Sequence, residues 1–259
     1  MLPWFEFTTV NIGPIPLQVW GFWVALGFVL TSTLLVKRLK PFGIKGELVL
    51  DLCMWLLLGG FIGARIFHVV LYEPAFFLQH PAELLKIWHG GLSSYGGFVG
   101  AAFAFFVFKK RRGLAWLKQM TLTGLFDHVS FAALYGWMTG RVGCFMIHDH
   151  LGVPCDCLLA LNKPDGPRLD MALLEILALF PLAIFFFLVR NKKKPEGFFA
   201  SVLLMYYGAV RCILDFWRAT DIIQADARYL GLTPAQYLSL GMVGVGIWLW
   251  QKHKGAKKS

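Results

Sequence analysis

The chain is 259 residues long, 57% apolar, 16% aromatic and only 15% charged, with a formal net charge of +10. A soluble domain ordinarily carries about a quarter charged residues, so the composition excludes an ordinary water-soluble globule. The apolar residues fall in runs near the roughly 20 residues that cross a bilayer as a helix, without the alternation of a membrane barrel.

The reading is an all-α polytopic membrane protein, a single integral-membrane domain over 1–259. Seven spans are predicted, at about 15–36, 48–71, 92–108, 120–138, 171–189, 198–217 and 235–250. The opening stretch MLPWFEFTTV lacks the basic region of a signal peptide, and Lys37, Arg38 and Lys40 anchor the first span. The loops after spans one, three, five and seven hold seventeen of the 25 lysines and arginines. The opposite loops hold six: Lys86, Arg141, Lys163, Arg168, Arg218 and Arg228. This asymmetry places the N-terminus outside and the C-terminus in the cytoplasm. It assigns the positive charge to topology and anionic lipid rather than to a nucleic-acid partner. Loops are short except an external one of about 139–170.

Charged groups inside spans are costly, so each is a candidate site residue. Arg65 and His68 lie at i, i+3 in the outer part of span two, and Arg211 and Asp215 at i, i+4 in that of span six. Glu175 falls one turn into span five, Arg141 ends span four, and Tyr95 opens span three. Seven polar residues from five helices thus share the outer-leaflet depth. The plain alternative is that they stitch helices together, for example Arg65 with Glu175 and Arg211 with Asp215. Three arginines against two carboxylates leave a positive surplus, and guanidinium suits phosphate by bidentate hydrogen bonding. At this depth the phosphate at hand is a phospholipid headgroup. Asp51, Asp127 and His128 sit in the cytoplasmic halves of their spans and read as structural.

The stretch from His89 to Gly97 has two Gly pairs, Gly90-Gly91 and Gly96-Gly97, at the entry to span three. They would break the helix and let backbone approach a ligand, or serve close helix packing. The densest chemistry is GRVGCFMIHDHLGVPCDC, 140–157. Its cysteines and histidines do not have a regular zinc spacing. Cys144 with Cys155 or Cys157 would make a disulfide on an oxidising face; free thiols are the other outcome.

At these motifs the chain resembles bacterial prolipoprotein diacylglyceryl transferases over essentially its whole length. Gly140-Arg141-Val142-Gly143-Cys144-Phe145, with Asp149 and Gly152, is similar to the family signature. Residues 89–97, the Gly63-Ala64-Arg65 stretch, Glu175, the run from Tyr207 to Arg218, and Gln236 with Ser239 resemble five further family elements. The resemblance implies transfer of the diacylglyceryl group of phosphatidylglycerol to the lipobox cysteine of a prolipoprotein, at the outer face of the bacterial cytoplasmic membrane. It implies no metal or cofactor, and membrane lipid and the signal-peptide segment as partners. Carried over by motif, Arg141, Arg211, Tyr95 and Asp149 are the catalytic candidates. Arg65, His68, His89, Gly96, Gly97, Gly143, Cys144, Gly152, Glu175, Tyr207, Asp215 and Arg218 are the substrate-binding ones. The chain departs from the family at Tyr95, which replaces a histidine often proposed to participate in catalysis, and at Cys144, which replaces an asparagine. A free tyrosine, with pKa about 10, is a poor base at neutral pH. The resemblance therefore leaves the thiol proton to His89, His68, Asp149 or His148, or makes the chain a phospholipid-binding paralogue without this chemistry or with another acceptor.

Overall fold

The computed structural model describes residues 1–71, 74–86, 91, 93–113, 120–222 and 228–255. In chain order the elements are β1 (Leu2–Pro3), β2 (Thr9–Ile12), β3 (Ile15–Gln18), α1 (Val19–Leu39), α2 (Gly46–Leu71), α3 (Pro74–Gln79), α4 (Ser94–Arg112), α5 (Leu122–Ile147), β4 (Leu151–Pro154), β5 (Ala160–Lys163), β6 (Gly166–Asp170), α6 (Met171–Val189), α7 (Phe198–Leu214) and α8 (Pro234–Gly255). Among the described residues seven helices are 17 residues or longer. At about 1.5 Å per residue each approaches bilayer length. Four segments, Val19–Phe42, Gly46–Val70, Met171–Val189 and Phe198–Trp217, are also apolar enough to cross a membrane on composition alone. The fold is an all-α polytopic membrane fold.

The chain divides into two units, Val36–Thr121 and the remainder, Met1–Leu35 with Leu122–Ser259. The smaller unit is built on the pairing of α2 with α4. Gly59 and Gly63 of α2 face Gly96 and Gly100 of α4. A Cβ on Gly63 would come within 2.6 Å of the Gly100 Cα, so only glycine permits this approach. The Gly96-Gly97 pair thus lies inside α4 rather than breaking it, and Gly96 serves helix packing. Ser93 caps the helix, its hydroxyl accepting from the Gly96 amide at 3.4 Å.

The larger unit packs α5, α6 and α7 around Phe131, Leu134, Leu179, Leu182, Phe186, Phe198 and Phe199. Phe131 stacks on Phe186 at 5.9 Å and meets Phe199 edge-on at 5.2 Å. Pro181 interrupts the ladder of α6. Nearby carbonyls of that helix find side-chain donors: Tyr206 gives to Ala178 O at 2.7 Å and Tyr135 to Ala183 O at 3.0 Å. Asp127 is structural, as expected: it accepts from the Ala200 amide at 2.9 Å in the first turn of α7.

Two features depart from the sequence reading. Helix α5 continues to Ile147, so Arg141, Gly143 and Cys144 are helical and the external loop begins at His148 rather than Thr139. Gly143 does not end the helix, and it is closely packed there. A Cβ on Gly143 would stand 2.9 Å from the Cβ of Trp23 on α1. The loop itself holds a sheet of order β1-β5-β6-β4, in which the N-terminal Leu2–Pro3 pairs parallel with β5. His148 fastens the N-terminal arm. Its Nδ1 lies 2.8 Å from Asp170 Oδ2 and its Nε2 2.6 Å from Phe5 O, with Trp4 at 4.5 Å between ring centroids.

Candidate functional site

Helices α5, α6 and α7 converge on Glu175, whose side chain is 1% exposed. It stands one turn into α6, the helix that Asp170 caps by accepting from the Leu173 amide at 2.9 Å. Oxygen Oε1 accepts from Trp137 Nε1 at 2.7 Å, Arg141 Nε at 2.9 Å and the Tyr207 hydroxyl at 3.0 Å. Oxygen Oε2 accepts from Arg211 Nη1 at 3.2 Å. The spacing explains the convergence. Trp137 and Arg141 are i, i+4 on α5, and Tyr207 and Arg211 are i, i+4 on α7, so each helix presents an aromatic donor and an arginine on one face. The Arg141 guanidinium also lies over the Trp137 ring at 5.0 Å.

A second carboxylate extends the cluster. Asp215, fully buried, is 3.1 Å from Arg211 Nη2 and 3.8 Å from Arg218 Nη1. Its other oxygen accepts from the Thr233 hydroxyl. Thr233 and Gln236 cap the start of α8, with the Thr233 amide giving to Gln236 Oε1 at 2.9 Å, and Gln236 Nε2 reaches Cys212 O at 3.1 Å. Arg141, Arg211 and Arg218 therefore face Glu175 and Asp215 with one positive charge in surplus. Arg141 Nη2 and Arg211 Nε have no protein partner among the described residues, and both side chains remain 11% exposed. Such a pair of fixed guanidiniums with donors in hand is suited to a phosphate.

Just beyond α5, Asp149 Oδ1 lies 3.2 Å from His150 Nδ1. Desolvation raises the Asp149 carboxyl above its ordinary value, against the pull of His150 and Arg141. Desolvation lowers His150, outweighing the carboxylate beside it, and the charges of Arg141 and Arg218 act in the same direction. The pair thus lies within the field of the arginine cluster and holds its protons differently from exposed groups.

The profile of the prolipoprotein diacylglyceryl transferase family matches residues 8–252. The chain belongs to that family. A phosphatidylglycerol--prolipoprotein diacylglyceryl transferase of Nitrosomonas europaea is 33% identical over 95% of this chain and 88% of the relative. Proteins of the same name from Cupriavidus metallidurans and Azoarcus sp. BH72 are 29% and 30% identical, over 98% and 95% of this chain and 97% and 94% of the relatives.

Within this diacylglyceryl transferase chain the structure brings Arg141, Arg211, Glu175, Tyr207, Asp215 and Arg218 together. The expected pairing of Arg211 with Asp215 is present. Cys144 is a free, buried thiol rather than half of a disulfide, with Arg141 Nη1 at 3.7 Å from its sulfur. The bridge joins Cys155 to Cys157 instead. With His148 taken by Asp170 and Phe5, the cysteines and histidines of 140–157 are not gathered on one centre. Gly152 is a packing residue: a Cβ there would meet Leu169, Met171 and the Trp217 carbonyl, each at 2.9 Å. It forms an isolated antiparallel bridge with Arg218.

The remaining predicted residues of this family member fall in the smaller unit. Arg65 gives to the carbonyls of Glu83, Leu84, Lys86 and Gly91, at 2.5, 3.1, 3.4 and 3.0 Å, and sits 5.0 Å over Phe77. Its guanidinium thus fastens the segment between α2 and α4. His68 lies beside Gly91, which has a positive φ of 74° and where a Cβ would come within 2.5 Å of His68 Nε2, and meets Phe77 edge-on at 6.1 Å. A Cβ on Gly97 would be in ordinary contact with Gly60 and Ala64. Tyr95 is in the first turn of α4; its side chain, like all of His89, lies outside the described residues. The sequence reading missed Trp137 and Thr233. The i, i+4 relation of Trp137 to Arg141 was the available signal.

Proposed function

We propose that the chain transfers the diacylglyceryl group of phosphatidylglycerol to a lipobox cysteine thiol of a prolipoprotein, releasing glycerol phosphate. The observation that carries this reading is Glu175 holding Arg141 and Arg211 on its two oxygens while each keeps a donor unused. Two guanidiniums fixed in this way would bind the lipid phosphate and stabilise the charge that grows on it as the glyceryl carbon–oxygen bond breaks. The peptide thiolate supplies the nucleophile and forms the new carbon–sulfur bond. Asp149, beside His150 and in the field of Arg141, takes the thiol proton. His148 is unsuited to this, because both its ring nitrogens already face acceptors. Tyr207 and Asp215 orient the arginines. The reading places seven spans in the bacterial cytoplasmic membrane with the N-terminus outside and the site toward the outer leaflet, supported by the distribution of lysine and arginine.

Purified protein with head-group- and acyl-labelled phosphatidylglycerol and a lipobox peptide is expected to give lipidated peptide and free glycerol phosphate. Arg141→Ala and Arg211→Ala should abolish both products. Tyr95 at the family's histidine position favours a second reading, a phospholipid-binding relative that does not use this acceptor. Lipid bound to well-folded protein and never transferred would establish that reading and overturn the first.

A further inference from the structure

Of the three cysteines in 140–157, the arginine cluster engages only Cys144. Cys155 and Cys157 are joined to each other across the single residue Asp156. A cross-link stabilises a fold through the loop it closes, and least for short loops. This loop is three residues within the β4–β5 connection, so the bond ties no two elements together. The turn is held without it: the Cys155 amide gives to Pro167 O and the Ala160 amide to Cys157 O, both at 3.1 Å. Both cysteines are partly exposed. Cys155 lines an open cleft of about 240 Å³ with Pro154, Gly166, Pro167 and Arg168. An accessible disulfide with no stapling role is open to attack by a thiolate. Strand β4 links it to the candidate site. Cys155 follows Gly152 by three residues, roughly 10 Å of extended chain, and Gly152 bridges to Arg218 of the arginine cluster.

We propose that Cys155–Cys157 is a thiol-exchange site that captures the acceptor cysteine of the substrate peptide as a transient mixed disulfide. The proposal rests on the reading that the acceptor is a peptide thiol. The substrate thiolate attacks one sulfur of the bridge. The Cys155–Cys157 bond breaks as the new disulfide forms, and the other cysteine leaves as a thiolate. That thiolate then attacks the mixed disulfide, restores the bridge and returns the substrate as a thiolate. Nothing is oxidised or reduced overall. The capture keeps the peptide at the site and its cysteine out of other disulfides on an oxidising face.

The test uses the full chain in lipid nanodiscs with the bridge intact. It is incubated with a synthetic peptide bearing one lipobox cysteine or with glutathione, quenched with N-ethylmaleimide and weighed without reduction. The expected result is a peptide adduct mapped to Cys155 or Cys157, half-formed at a concentration about tenfold below that needed for glutathione, a difference of about 1.4 kcal/mol. The adduct should be absent in Cys155→Ser/Cys157→Ser. Reduced and alkylated wild-type protein is the matching control if that variant fails to fold. An intact bridge with no adduct, equal reaction with glutathione, or an adduct that persists in the variant overturns the proposal. A labelled-lipid assay on the same samples separates the two readings. Transfer without an adduct overturns only the exchange site, and an adduct without transfer overturns only the transferase reading.

Discussion

Arg65 and Arg141 are both largely buried arginines at the ends of long helices, and the two surroundings use them differently. Arg65 meets four main-chain carbonyls from the segment that follows its own helix. Those acceptors are neutral, fixed and numerous enough to engage every nitrogen of the guanidinium. Arg141 meets one carboxylate, one thiol and an aromatic face, and keeps Nη2 without a protein partner among the described residues. The first arrangement closes a loop. The second holds a guanidinium in place with a donor to spare. Burial and charge alone do not separate them, but the identity of the acceptors and the donors left over do.

Removing the carboxylate that organises the second arrangement is expected to have the largest effect. Glu175→Ala leaves two arginines close together without their common counter-ion. Breaking a buried ion pair from one side costs about 3–5 kcal/mol, so the unfolding midpoint in detergent should fall steeply. Glu175→Gln retains acceptor oxygen for Trp137 and Tyr207 and should lose less. If both variants unfold like wild type, Glu175 is not the centre of the cluster. The direct contrast between the two arginines comes next. Arg141→Ala should lower transfer per folded molecule by about 10²–10³, as loss of one charge-stabilising donor does, and should also melt lower, because it removes one of the two arginine partners of buried Glu175. Arg65→Ala should lower stability by about 1.5–3 kcal/mol with the loss of its charge-assisted hydrogen bonds, while turnover per folded molecule falls far less than in Arg141→Ala. Equal losses of turnover would return Arg65 to the site.

The two regions were not equally legible in the sequence. Helices α6 and α7 begin where their apolar runs begin, at Met171 and Phe198, because continuous hydrophobicity bounded by Asp170 and Gly197 leaves little choice. The end of α5 was misplaced because Gly140 and Gly143 look like helix breakers. Gly143 packs against Trp20 and Trp23 of α1, a helix remote in sequence. Arg211 with Asp215 was readable from i, i+4 spacing. The triple acceptance at Glu175 Oε1 was not, since Trp137 in an apolar run has the same pattern as any lipid-facing aromatic. The sheet of the external loop was hidden for another reason: its strands are at most five residues long, and one comes from the N-terminus. The carbonyl acceptors of Arg65 were not readable, because main-chain acceptors leave no mark in a sequence.

The pH dependence of transfer is the next, smaller lever. Asp149 accepts a proton only when ionised, and desolvation raises its pKa. Activity should therefore fall as pH drops through a value above the ordinary carboxylate figure of about 3.9. His150, lowered from its ordinary value by desolvation, is neutral at pH 7. Asp149→Asn should remove this limb and cost roughly 10²-fold in kcat, the usual scale for a lost general base. A rate profile unchanged in Asp149→Asn would move the proton to another group.

Trp137 should give the smallest effect and the finest one. Its indole N–H gives to Glu175 Oε1, its face lies beneath the Arg141 guanidinium, and its ring meets Tyr207 edge-on at 5.9 Å. It touches both charges of the principal ion pair without being charged itself. Trp137→Phe keeps a smaller aromatic face and removes the N–H, so the arginine keeps part of its support while the carboxylate loses one of its donors. A hydrogen bond to a charged group is worth about 1.5–3 kcal/mol. Part of that should appear as stability and part as a looser Arg141, lowering kcat about three- to tenfold with lipid KM nearly unchanged. The split is diagnostic. If Trp137 serves only packing, the variant melts lower and turns over normally once folded. If it aligns the guanidinium with the breaking bond, kcat falls at constant KM, and Trp137→Leu, which removes the face as well, falls further. At position 65 four acceptors are main-chain carbonyls, which side-chain substitutions do not remove one at a time.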